Sequence, residues 1–511
     1  MSISATFEKE LDGFVSKAMQ TWNVPGLALV VLKDDQAILA KGYGVREMDK
    51  PEPVDEHTLF AIASNTKAFT ATALGLLVQE GKLAWDDPVI KHLPTFRLHD
   101  PHATQMITVR DLLCHRSGLG TWAGDVLLLS RYNTEEVVRR LQHIPPAYNF
   151  RAGYGYSNLM FITAGLIIET VSGVSWDDFI RQQIFEPLGM NDSITNPRYL
   201  KERTNIAVPH EDVKEKLQTV VQREDAHVGA AGSIHASVAD IALWMRLHIN
   251  KGYLNGKQIV DQAIIEETQT PHTPIKLAAL EKKIFPSRHF SAYGLGWFLS
   301  DLYGKFFVRH TGGVDGMLSS TVLIPEEKIG IAVFTNKLPN DAFAAVPNFL
   351  IETLLGNTPA DWIQTYLDLD KEAREKEIEA QKQKEATWDK DTHPSLALEK
   401  FAGEYESSIL GGATVSVEDN ALSNEGVHLH LAQAQVSKRG GLHIQLQAHE
   451  SISGTLEHSH YDTFVCHWAD PVLHESLIPF ITDGQGQITE FHVKIREDWI
   501  DPLEHVFKKV K

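Results

Sequence analysis

Cysteine is scarce in this 511-residue chain, where Cys114 and Cys466 are the only two. They stand in segments of different character, so a disulfide framework is excluded and a reducing compartment is expected. Positive charge is also short: 48 lysines and arginines face 67 aspartates and glutamates, for a formal net charge of −19. Nucleic-acid binding needs concentrated basic charge, and this balance argues against it. No apolar run reaches the length of a transmembrane helix, so no membrane partner is expected. The first residues, MSISATFEKELDGFVSKAMQTW, carry no basic-then-apolar secretory pattern. They place Phe7, Leu11, Phe14, Val15 and Met19 on one face of an amphipathic helix. A cytoplasmic protein is the expectation.

What is present is ordinary globular material, 43% hydrophobic and 23% charged, long enough for two or three domains. After the first helix, GLALVVLKD from Gly26 and QAILAKGYG from Gln36 read as a strand pair turning at Asp34 and Asp35. Residues 64 to 80 read as a helix stopping at Gly81, and Thr108 with Asp111 as a capped short helix. The pattern stays mostly helical from about 85 to 285. Near residue 290 it switches to consecutive strands: YGLGWFL from Tyr293, then runs from Phe306, Leu318 and Lys328, with a helix after Asp341. The expected fold class is α/β plus all-α, an antiparallel sheet flanked by helices and interrupted by a helical insertion. Residues 1–357 form this domain, 358–394 a charged helical linker, and 395–511 a small antiparallel β-barrel. The barrel strands are read from runs such as VHLHLAQ at Val427, LHIQLQA at Leu442 and TFVCHW at Thr463.

Three short motifs follow one another in the larger domain: Ser64-Asn-Thr-Lys67, Tyr156-Ser-Asn158 and His310-Thr-Gly312. Two readings of Ser64 stand, a helix cap or a nucleophile. Lys67 is the only lysine or arginine between Pro51 and Gly81, in largely apolar surroundings. Burial there would depress its pKa and free the amine as a base. A capping box would carry Glu or Gln at that position, and a cation in the first turn opposes the helix dipole. Three residues apart on a helix, Ser64 and Lys67 share a face, and the helix start offers an N–H to an oxyanion.

Tyr156 lies in RAGYGYSN, a glycine-broken loop entering the apolar helix from Leu159. A tyrosine beside a lysine can share a proton with it, and the Asn158 amide can hold both the lysine and a substrate carbonyl. Each also has a bland reading as loop–helix packing. His310, Gly312 and Gly313 end a strand where glycine lets a substrate backbone approach, and the Gly313 N–H could complete an oxyanion hole with that of Ser64.

Together the motifs make the chain resemble the serine β-lactamase and penicillin-binding-protein superfamily, closest to its class C-like branch of D-aminopeptidases and esterase-like members. LLCHRSGL at Leu112, GSIHASVADIALWM at Gly232, YGLGW at Tyr293 and HTGGVDGM at His310 support the likeness, which covers roughly residues 5 to 356. The tail is similar to the lipocalin-like barrel appended to some members. The resemblance implies a serine hydrolase forming an acyl-enzyme on amide or ester bonds of small substrates or short peptides. Ser64, Lys67 and Tyr156 would be catalytic, Asn158, His310 and Gly312 would bind substrate, and the N–H groups of Ser64 and Gly313 would form the oxyanion hole. Tyr156-Ser-Asn158 in place of Ser-Asp-Asn selects the branch. His310 replaces the lysine that binds a β-lactam carboxylate, and histidine is mostly neutral near pH 7. D-residue peptides or amides and small esters are therefore favoured. Ala152 stands where relatives carry proline, which leaves Tyr154 as the fallback for Tyr156. A β-lactamase or D,D-carboxypeptidase and a degenerate binding scaffold are the rival readings. By analogy the barrel limits access or mediates homo-oligomerisation.

No cofactor is expected. Ten of the 24 histidines fall in the last domain, and His428-x-His430 puts two rings on one strand face. No carboxylate or cysteine pattern completes a metal site, so no metal is assigned.

Overall fold

Leu11, Val15 and Ala18 recur at the spacing of one helix face, and all three are buried in helix α1 (Ala5–Thr21). Ser4 caps it by accepting the Phe7 N–H at 3.2 Å. Their partners are strands β1 (Gly26–Lys33) and β2 (Gln36–Gly44), which are joined in later sequence by β3 (Thr273–Ile275), β4 (Ser291–Tyr293), β5 (Phe298–Leu302), β6 (Lys305–Val314), β7 (Met317–Ile324) and β8 (Ile329–Thr335). This computed structural model describes residues 4–213, 216–221, 229–386, 388–389, 391–417, 441–448, 452–496 and 500–510. The chain divides into two compact units, Met1–Thr121 with Pro145–Glu375, and Trp122–Ile144 with Lys376–Lys511.

In the first unit the sheet order is β2-β1-β8-β7-β6-β5-β4-β3, antiparallel throughout. The N-terminal hairpin is rejoined by the late strands, with Leu27 opposite Thr335 and Lys33 opposite Ile329. The helical insertion falls between β2 and β3, as the change of period implies. β1 and β8 are near-continuous apolar runs because both faces are covered. Leu27, Leu29 and Val31 share a core with α1, and with helix Ala342–Leu354, whose Phe349 stacks on Phe14 at 4.3 Å between centroids. The other face meets helix Val238–Ile249, whose Met245 and Ile249 crowd Gly330 of β8.

One expected strand resolves differently. YGLGWFL is a hairpin: Tyr293 closes β4, Phe298 opens β5, and the two pair directly. Gly296 makes the turn at φ +79°, a conformation that needs no Cβ. The charged segment after residue 360 forms the helix Trp362–Glu385, anchored where Trp362 and Ile363 enter the core.

The second unit is a closed antiparallel barrel of eight strands from Gly403–Ser407 to His505–Lys509, sealed by Tyr405 opposite Lys509. Alternating burial fills its interior with Phe401, Tyr405, Phe464, Phe480, Phe491 and Phe507. Residues Trp122–Ile144 belong with it: Tyr132 donates to the Leu410 carbonyl at 3.0 Å and Arg140 to that of Ile409 at 2.7 Å. The expected strand VHLHLAQ, with His428 and His430, lies outside the described residues, as does His449. Among the described residues no cluster of three or more His, Cys, Asp or Glu is arranged to hold a metal, and no single helix is long and apolar enough to cross a membrane.

Leu11→Ala should destabilise the first unit by about 2–5 kcal/mol, the cost of a large-to-small change in a packed core. Urea unfolding measures it, and a loss below about 1 kcal/mol would contradict this packing.

Candidate active site

The short ladder of Phe60–Ala61 with His235–Ala236 delivers the chain to Ser64. Ala63 then takes φ +45°, a conformation costly for a residue with a Cβ. Ser64 sits in the 3-10 turn Ala63–Asn65 that runs straight into helix Thr66–Gln79. The helix is buried on all sides, from Thr66 to Leu77, so it is a central core helix. Asn65 holds the cap position and no side chain caps the helix, so capping does not account for Ser64. Its Oγ accepts from Lys67 Nζ at 3.0 Å.

Lys67 is fully buried. Nζ donates to acceptors from three segments, among them Ser64 Oγ, Asn158 Oδ1 at 2.6 Å and the Ala231 carbonyl at 2.8 Å. Nζ also lies 4.8 Å from the centroid of the Tyr156 ring and 5.4 Å from that of Phe161. Asn158 opens the apolar helix Asn158–Ser172, as the sequence reading of a helix entrance requires. Tyr154, the fallback position, packs against His115, Tyr293 and Phe298, whereas it is the Tyr156 ring that lies by the lysine.

A bracing network holds the Tyr156 loop. Asp111, fully buried, takes two donors from Thr108 and is paired with Arg116 and Arg151. These guanidiniums and the Thr108 N–H hold its carboxyl below the usual range against the opposing effect of burial, which is the largest single influence. The Tyr156 N–H donates to Thr121 Oγ1 at 3.2 Å.

β6 supplies the third motif. Its pairing with β5 ends at Arg309, so residues 310–314 pair with β7 alone and leave an edge beside the Ser64 turn. A Cβ on Gly312 would fall 2.2 Å from the Ile62 carbonyl oxygen and 2.9 Å from Ser64 N, so glycine is what lets strand and turn touch. Gly313 follows, half-buried. Ser319 of β7, opposite Gly312, bonds both the Ile62 carbonyl at 2.7 Å and the Asn65 amide at 2.8 Å.

The His310 ring is 1% exposed. Nδ1–H donates to the Thr311 carbonyl at 2.6 Å, so Nε2 accepts from the Tyr293 hydroxyl at 2.8 Å. Burial, then the Lys67 charge, pushes its pKa down to about 3. His310 is thus a neutral buried strut at this position.

The structure brings Ser64, Lys67, Tyr156, Asn158, His310, Gly312 and Gly313 around one turn. Sequence reasoning missed the roles of Ala231, Ser319 and Tyr293 here, and of Gly296, whose Cβ would meet the Lys67 backbone at 2.8 Å. Backbone carbonyls and packing glycines leave no residue-type signal; Tyr293 stood within a quoted segment but in no motif.

A model described as beta-lactamase matches residues 11–354, a span that contains every one of these residues. The chain belongs to the beta-lactamase family. A second model, a domain of unknown function (DUF3471), matches residues 387–505. The unguisins hydrolase ungD' of Aspergillus campestris is 30% identical over 417 residues, covering 76% of this chain and 74% of the relative. The octameric penicillin-binding protein homologue from Pyrococcus abyssi superposes with a TM-score of 0.62 at 22% identity, over 98% of this chain and 99% of that one. A D-stereospecific amidohydrolase from Streptomyces sp. gives a TM-score of 0.51 at 22% identity, over 63% and 94%. These structural likenesses carry the fold. At the level of the beta-lactamase family, the protein is of serine-hydrolase type.

This beta-lactamase-family unit keeps several imidazoles uncharged. His235 and His272 are pushed down to about 4 and His248 to about 3, each chiefly by burial, and His115 falls well below its ordinary value. Below pH 6.5 the unfolded chain binds protons at these five groups, His310 included, that the folded one refuses. Their stabilisation is therefore whole above pH 6.5 and is lost on acidification. Asp341, raised to about 7 by burial and Asp370, acts in the opposite sense. These six groups together should take up roughly four protons on unfolding near pH 5, a slope of about 1.4 kcal/mol per pH unit for each. Urea titrations from pH 7 to 4.5 test this, and His248→Gln should lower the uptake by about one.

Proposed function

We propose that the protein is a class C-like serine hydrolase that forms an acyl-enzyme on amide or ester bonds of small substrates. Peptides or amides carrying D-residues come first, and small esters second. The observation that carries the proposal is the hydrogen bond between the buried Lys67 Nζ and Ser64 Oγ, shared with Asn158 and Ala231. As an ammonium the lysine donates to Ser64 Oγ, Asn158 Oδ1 and the Ala231 carbonyl. As a neutral amine it has two N–H donors and one lone pair. Asn158 Oδ1 and the Ala231 carbonyl can only accept, and they keep the two donors. The lone pair can then face the Ser64 hydroxyl, a partner that can reverse its role. The same geometry thus serves both protonation states.

Ser64 Oγ attacks the carbonyl carbon while its proton passes to Lys67, with the Tyr156 hydroxyl sharing the transfer. The N–H groups of Ser64 and Gly313 receive the oxyanion. The proton returns to the departing amine or alcohol as the bond to the carbonyl carbon breaks. Water then attacks the ester, regenerating Ser64 and releasing the acid. Burial keeps the pair out of bulk water, where a lysine would stay charged.

His310 supports the substrate order. A β-lactam carboxylate needs a cation at this strand, and here stands a neutral ring already satisfied by Tyr293 and Thr311. The amidohydrolase named as D-stereospecific among the structural neighbours is in keeping with this. So is a curated relative named as a hydrolase. Homo-oligomerisation through the barrel is also proposed, since the full-length structural neighbour is described as octameric.

A fluorophosphonate should label wild type on the Ser64 peptide, with Ser64→Ala unlabelled and Lys67→Met slowed by about 10²–10⁴-fold by mass spectrometry. Equal labelling of Ser64→Ala would remove the nucleophile assignment. D- and L-aminoacyl amides, p-nitrophenyl esters and a cephalosporin, run on one preparation, should show turnover of D-amides and esters. Turnover of the cephalosporin alone would overturn the substrate order and leave the chemistry standing.

A further inference from the structure

We propose that His115 is a positioning residue for Tyr156, working through the neutral Nε2–H tautomer with Nδ1 as a fixed acceptor. The inference rests on the reading of Tyr156 given above.

His115 bonds both residues that flank Tyr156. Its carbonyl accepts the Gly155 N–H at 3.0 Å, and its Nδ1 accepts the Ser157 N–H at 3.1 Å. One residue therefore holds the Tyr154–Gly155 and Tyr156–Ser157 peptide groups, while Thr121 holds the N–H of Tyr156 itself. The imidazole also lies against the Tyr156 ring, with centroids 4.3 Å apart and planes tilted by 36°. Backbone and ring are held from a single point.

The donor direction settles the tautomer. A backbone N–H can only donate, so Nδ1 must carry a lone pair, and the proton of the neutral ring sits on Nε2. That Nε2–H is buried and meets no acceptor among the described residues. An orphaned buried donor is a cost that leucine or phenylalanine would avoid. The imidazole is accounted for by what Nδ1 does. Phe161, Tyr154 and Tyr293 close the ring in. Burial, then the Lys67 charge, opposes a proton on Nδ1.

Backbone conformation adds a second argument. His115 stands at φ +58°, where a side chain with a Cβ is strained. The strain places carbonyl and ring on the same loop at once. Replacing the residue must therefore respect both the backbone and the acceptor. Asparagine does so: it tolerates this region, and its Oδ1 occupies the place of Nδ1. Glutamine keeps size and polarity but carries its acceptor one bond further out.

The contrast tests the assignment on the full-length enzyme with its best ester or amide. His115→Gln should lower kcat about 10- to 100-fold, with KM within about twofold, the effect of a slightly displaced proton-transfer group. His115→Asn should recover kcat to within about threefold of wild type. Full kcat in His115→Gln, or equal losses in both variants at equal thermal midpoints, would overturn the proposal. Tyr156→Phe separates the two readings. Loss there with full activity in His115→Gln sinks only the positioning role, whereas full activity in Tyr156→Phe sinks the role of Tyr156 itself. ¹⁵N-histidine NMR, with the His115 signals identified by their loss in His115→Asn, should show that ring protonated on Nε2 and not on Nδ1 from pH 8 to 5. Protonation on Nδ1 in that range would overturn the proposal as well.

Discussion

A lysine ammonium with no exposed surface is the constraint around which the first unit is arranged. Taking such a charge out of water is expensive, and only hydrogen bonds to every donor make it tolerable. Lys67 meets the requirement with acceptors drawn from three separate segments: the turn at Ser64, the start of a helix at Asn158, and the carbonyl of Ala231. Each partner must be brought there by its own piece of fold. The central helix is consequently apolar on all sides, and the helix from Asn158 packs beside it. Remove one acceptor and the site loses both its charge balance and its geometry.

Close approach is the second condition. The Ser64 turn, the edge of β6 and the hairpin after Tyr293 meet almost backbone to backbone, at Gly312 on one side and Gly296 on the other. Side chains there would push the strand edge away from the serine. Ala63 absorbs the remaining strain at φ +45°. Around this frame the neighbouring titratable groups are kept neutral. His115 and His310 are both buried near Lys67, and each refuses a proton for the same two reasons, desolvation and that positive charge. The result is a single buried amine set among neutral hydrogen-bonding rings.

Much of this was legible in the residue order. The strand-like runs at Gly26 and Gln36 and the apolar strands after residue 290 defined the sheet, and the alternation after Pro394 announced a barrel. The isolated lysine in an apolar stretch pointed to burial, which the fold bears out. Less was legible where the signal was short or lacked chemistry. YGLGWFL looks like a strand by composition and becomes a hairpin because two glycines break it. Ser64 has the pattern of a cap, yet the cap position passes to Asn65, since the turn before the helix is 3-10 and not extended.

By itself the sequence determined the residue types and their local phase: a serine and a lysine on one helix face, a tyrosine and an asparagine at a helix entrance, a histidine before two glycines. Local periodicity reports neighbours three or four places away, and those relations follow from helix and strand geometry alone. Tertiary structure decided what depends on distant segments. It set the Tyr156 ring beside the lysine and packed Tyr154 on Tyr293. It made His310 a buried neutral strut on Tyr293, where the sequence offered only a histidine in place of a lysine. It also brought in His115, Ala231 and Ser319. The physical reason is that burial and donor–acceptor matching belong to the packed ensemble of segments, and no single segment carries them.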